Sequence, residues 1–136
     1  MAKVSFVGFQ EKVEIPEGFQ LLEIEEIYSS AKSRDDLYSL ISDPAQISQW
    51  LGSVNSFDSR PGGKLTFNDG SIATCTSFVL GKEVSFIADS FGNFSAKIVK
   101  GKDENTIELK FTILTDKAQG KSAEILEILS RLQALL

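Results

Sequence analysis

Cys75 is the only thiol in the chain, and there is no histidine. These two facts remove most of the common catalytic chemistry. Without imidazole there is no Ser-His-Asp or Cys-His arrangement and no general base that titrates near neutrality. A zinc or iron–sulfur centre needs several thiolate or imidazole ligands, so no metal is expected within one chain. Cys75 has no flanking charge to lower its pKa and reads as a structural thiol. The acidic side chains offer little more. Asp35-Asp36 suits the start of a helix, and Glu23, Glu25 and Glu26 suit a solvated strand face. An acid/base pair must converge on a substrate, whereas adjacent strand positions point apart. Lys97 and Lys110 form a small basic patch of the kind that serves solubility. Enzymatic activity is therefore disfavoured, though left open, and no cofactor is expected.

What remains is apolar and sparsely polar. Ten phenylalanines occur in 136 residues. They imply either a filled core or a partly open apolar pocket, and both readings stand at this level. The segment 71–80 is ambiguous: Ile72, Thr74, Thr76, Phe78 and Leu80 share one face, and Ala73, Cys75, Ser77 and Val79 the other. If the first set faces inward, Thr74 and Thr76 bring orienting hydroxyls into a pocket. Glu26 alternates with Leu22, Ile24 and Tyr28 and is expected either inside with a hydrogen-bond partner or at a wet rim.

The elements that must position these residues follow from periodicity and turn chemistry. Residues 1–19 read as an N-terminal arm or extra edge strand, with weak alternation at Val4, Phe6, Val13 and Ile15 before a Pro16-Glu17-Gly18 turn. Residues 20–29 alternate as a strand. Two short helices come next. Ser33 caps the first, with Asp36 three residues on, and Leu37, Leu40 and Ile41 share a face. Asp43 caps the second, Pro44 takes its first position, and Ile47, Trp50 and Leu51 point one way. Period-two strands are then expected at 53–58, 64–68, 71–80, 83–90, 94–101 and 105–114. Arg60-Pro61-Gly62-Gly63 suits a type II turn. Asp69-Gly70, Gly81-Lys82 and Gly92-Asn93 read as two-residue hairpin turns. Short connections make the strands an antiparallel meander. Residues 117–136 form a closing helix with a stripe of Ser122, Ile125, Leu129, Leu132 and Leu136, widened by Leu126, Ile128 and Leu135. At ~1.5 Å per residue it spans about 30 Å, long enough to lie across a sheet.

The expected fold is α+β: a curved antiparallel sheet wrapped around the C-terminal helix, in a single domain over residues 20–136. The chain resembles the SRPBCC superfamily, the START or Bet v 1-like helix-grip fold, in the branch related to the C-terminal domain of activator of Hsp90 ATPase. The resemblance rests on Asp43-Pro44 followed by Trp50-Leu51, on Pro61-Gly62-Gly63-Lys64-Leu65-Thr66-Phe67, and on Asp69-Gly70. It departs from the family at Ala31-Lys32, where Ala-Pro is usual, at Glu26, where a basic residue is common, and at Gly120-Lys121, where Gly-Trp is frequent. The resemblance implies either of two functions: binding of a small hydrophobic molecule between sheet and helix, or a protein-interaction module like an Hsp90 co-chaperone domain. The pocket candidates are Glu26, Leu40, Trp50, Phe67, Thr74, Thr76, Phe78, Phe86, Phe94, Phe111 and Leu129. The net charge of −5 argues against nucleic acid, whose phosphates must be neutralised. No apolar run reaches a membrane span. The lone thiol and the N-terminal pattern, unlike a signal peptide, imply a cytoplasmic location; a monomer or homodimer is expected.

Overall fold

The computed structural model describes residues 3–7 and 16–136. Of the expected arm, Val13 and Ile15 lie outside the described residues. Among the described residues, eight strands form one antiparallel sheet: β1 (Lys3–Val7), β2 (Gln20–Ser30), β3 (Val54–Phe57), β4 (Lys64–Phe67), β5 (Ile72–Val79), β6 (Glu83–Ala88), β7 (Gly92–Val99) and β8 (Asn105–Thr115). Their spatial order is β1-β2-β8-β7-β6-β5-β4-β3. Thus β3 to β8 form a meander, and β2 returns to pair with β8. Helices α1 (Arg34–Ser42) and α2 (Pro44–Ile47) lie in the crossover, and α3 (Ala118–Gln133) closes the chain. This is the helix-grip α+β fold. Among the described residues, no helix is long and apolar enough to cross a membrane.

Local chemistry sets the helix ends. The Ser33 hydroxyl accepts from the Asp36 N–H at 3.1 Å. The Asp43 carboxylate accepts from the Ala45 N–H, also at 3.1 Å. Pro44 follows directly, so the Leu40 carbonyl meets no N–H four residues on. The Trp50 indole supplies the missing donor, with Nε1 at 2.7 Å from that carbonyl. One side chain thereby ties α2 to the end of α1 while its ring packs in the core.

The core lies on the concave face. Leu22, Ile24, Glu26 and Tyr28 of β2 point inward, paired with Ile113, Phe111, Leu109 and Ile107 of β8. Helix α3 packs on these two strands, burying Ile125, Leu129 and Leu132. Thus α3 sits over β2 and β8, α2 packs on β3 and α1 covers the β6–β7 side. There Trp50 meets Phe94 with ring centroids 5.7 Å apart, and Phe57 meets Phe86 at 5.5 Å. Phe94 in turn reaches Phe111 at 4.6 Å.

Two further expectations are corrected. Thr74 and Thr76 do not face the core. Ala73 and Cys75 of β5 are buried, opposite Ala88 and Phe86. A bulge between Cys75 and Ser77 then inserts Thr76 as an extra residue, and Phe78 turns inward beyond it. A single alternation through 71–80 fails because the bulge resets the period. The hairpin loops are also one residue longer than expected. Phe67 pairs with Ser71, Val79 with Glu83 and Ala88 with Gly92. In the second loop Lys82 N–H donates to the Val79 carbonyl at 2.9 Å. Gly81, at φ +76°, takes the third turn position, as in type II, not the first of a type II′. Gly92, at φ +72°, closes the third loop, and a Cβ there would lie 2.3 Å from the Thr112 carbonyl oxygen. A glycine fits either loop length, and the inward register of the flanking strands decides between them.

Candidate functional site

Where α3 leaves the sheet, a groove of about 550 Å³ opens to solvent along one side. Its size lies within the roughly 300–1,000 Å³ usual for small-molecule sites. Four segments form its walls: the chain after α2 (Leu51, Gly52, Ser53), the β4–β5 hairpin (Phe67, Asn68, Asp69, Ser71), the β6–β7 loop (Ser90, Phe91) and α3 (Glu124, Ile128). Leu51, Phe67 and Phe91 are buried and make an apolar floor. The hydroxyls, Asn68 and the two carboxylates make a polar rim.

Each wall is held by identifiable contacts. The Arg131 guanidinium donates through Nε to the Trp50 carbonyl at 3.0 Å and pairs with Glu127 at 3.2 Å, fixing α3 to the segment before Leu51. At the other end Lys121 Nζ donates to the Ser90 carbonyl at 3.0 Å and meets Glu124 at 3.2 Å. Asp69 Oδ1 accepts from both the Ser71 N–H, at 2.8 Å, and the Ser71 hydroxyl, at 2.6 Å. Those two hydrogen bonds hold its carboxyl below the usual range. Phe91, though in a hairpin loop, is buried, with edge-on contacts to Phe94 at 6.3 Å and Phe111 at 6.1 Å.

The residues singled out from sequence divide sharply. Phe67 lines the groove. Leu40, Trp50, Phe86, Phe94, Phe111 and Leu129 are buried in the filled core. Phe78 is half-buried against Tyr38 and Phe57, at 6.1 and 6.2 Å. Thr74 and Thr76 lie on the outer face, where Thr74 accepts from Lys64 Nζ at 2.8 Å. Glu26 is inside, 3% exposed, on β2 and away from the groove. Burial and then the Glu26 charge raise the Tyr28 phenol. Sequence reading passed over Phe91, Leu51 and Ile128 as site residues. The available signal was Phe91 itself, an aromatic in a loop whose other positions are Asp89 and Ser90. Among the described residues, no group of three or more His, Cys, Asp or Glu is arranged to hold a metal ion.

Residues 31–113, more than half the chain, match the family described as activator of Hsp90 ATPase homolog 1-like protein. Among solved structures, the chain is similar to CalU16 from Micromonospora echinospora, with 13% identity and a TM-score of 0.65 over 97% of this chain and 83% of that one. It is similar to the Aha1 dimer from Colwellia psychrerythraea, with 13% identity and a TM-score of 0.66 over 83% of this chain and 92% of that one. A conserved protein of unknown function from Enterococcus faecalis, EF2215, shares 12% identity and a TM-score of 0.66, over 96% and 75% of the two chains. At such identities the likeness establishes the fold. No curated protein matches.

Proposed function

The chain belongs to the family of activator of Hsp90 ATPase homolog 1-like proteins, within the SRPBCC superfamily, and from that premise we propose that it binds a small apolar molecule in the groove beside α3. The observation that carries this reading is the buried floor of Leu51, Phe67 and Phe91 exposed to a 550 Å³ space under a polar rim. A floor of that kind repays its wetting when an apolar ligand covers it, and sparse polar groups orient what binds. The site sits at the end of the sheet, since aromatic rings occupy the space between its middle and the helices.

The test is a thermal-shift panel of medium-chain alcohols and fatty acids. A ligand at a hundredfold over its Kd stabilises by about 2.7 kcal/mol. Ile128→Trp should fill the groove and abolish the shift while the protein stays folded. No shift from any probe with the parent protein overturns the proposal.

A second reading, the protein-interaction module, draws on a different surface. At the tip of the β5–β6 hairpin Leu80 is 82% exposed and Val79 is 43% exposed. We read this tip as the place where a partner would anchor. A partner captured through Leu80, lost in Leu80→Ser, would favour that reading.

A further inference from the structure

We propose, resting on the reading of the groove as a small-molecule site, that the ligand carries a cationic head on its apolar body and that Asp69 receives that head. Among the described residues, the groove is lined by two carboxylates, Asp69 and Glu124, and by no Lys or Arg. The nearest cations of α3 are already engaged. Lys121 is held by the Ser90 carbonyl and Glu124, and Arg131 by Glu127 and the Trp50 carbonyl. An anionic head entering the groove meets a carboxylate and hydroxyls, with no available counter-charge among the described lining residues. A cationic head meets Asp69, whose Oδ1 is pinned by Ser71 so that the second oxygen is presented in a fixed orientation. Glu124 is compensated by Lys121, which leaves Asp69 as the charge that discriminates. Below it, Leu51, Phe67 and Phe91 provide the apolar surface for the body.

Octylammonium, octanoate and octanol share one chain length and differ in the head. Each is titrated at low ionic strength while the amide resonances of Phe67 and Phe91 are followed. Octylammonium should bind tighter than octanoate by roughly fivefold, the scale of an exposed ion pair. Raising the salt to about 1 M should narrow that ratio, and Asp69→Asn should bring it within about twofold of unity. Octanoate binding as well as octylammonium, or a ratio unmoved by Asp69→Asn, overturns the assignment of the head. If octanol binds in that case, the groove remains a ligand site with a different preference. Failure of all three probes to shift Phe67 or Phe91 overturns both the cationic ligand and the site.

Discussion

Trp50 joins three elements, and removing it separates two contributions. The ring is 1% exposed and packs on Phe94 at 5.7 Å. Its N–H occupies the Leu40 carbonyl that Pro44 leaves without a helical donor, at 2.7 Å. Trp50→Phe keeps most of the apolar body and loses the hydrogen bond, leaving a buried carbonyl unsatisfied at a cost of about 1–3 kcal/mol. Trp50→Ala removes the ring as well and should cost about 3–5 kcal/mol. Set against a total stability of roughly 5–15 kcal/mol, the alanine variant should be marginal and the phenylalanine variant weakened yet folded. Urea titrations followed by far-ultraviolet circular dichroism give both values, since the parent's only tryptophan is lost in each variant. Unchanged m-values would show that the shift in midpoint is a change in stability. A phenylalanine variant as stable as the parent would refute the role given to the indole N–H. An alanine variant losing less than about 1 kcal/mol would refute the enclosure of the ring.

Leu129→Trp should destabilise by about 1–3 kcal/mol through overpacking, because Leu129 is in the core at 1% exposure; chemical denaturation checks it, and an unchanged midpoint would place a cavity there. Gly92→Ala should cost at least about 1 kcal/mol, since its φ is +72° and the added Cβ meets the Thr112 carbonyl; a melting temperature equal to the parent's would contradict this. Stability should fall as the solution is made alkaline. Burial foremost raises the Cys75 thiol above its ordinary 9.0 and the Tyr28 and Tyr38 phenols above 10.0. The folded chain keeps these protons when the unfolded chain has released them. Their contribution is therefore present below pH 9.0 and is lost as pH climbs through the ordinary values toward the raised ones. Urea midpoints that hold steady or rise between pH 8 and about 11 would contradict that sign.

The fold was legible because its signals are local. Ser33, Asp43 and Pro44 mark helix starts by side-chain chemistry that acts within three residues. Alternation in β2 and β8 follows from one buried face, and α3 shows its stripe through Ile125, Leu129 and Leu132. The site was less legible because it is assembled from segments far apart in the sequence. Leu51, Phe67, Phe91 and Ile128 come from four separate segments, and only tertiary register brings them together. Strand β5 failed for a related reason. The bulge at Thr76 is set by pairing with β6, which no alternation within 71–80 reveals. The phenylalanines stand out in the sequence, but abundance alone does not distinguish Phe94, packed among four rings, from Phe67 at the groove wall.

Mapping an octanol titration onto the backbone amides by two-dimensional NMR tests the groove most directly. Ligand in the groove should shift Gly52, Ser53, Phe67, Asn68, Phe91 and Ile128, which lie on four separate segments, in one saturable process. Amides of Thr74 and Thr76 on the outer face should stay still. Shifts absent up to the solubility limit, or gathered instead around Val79 and Leu80 at the hairpin tip, would contradict the groove as the binding site.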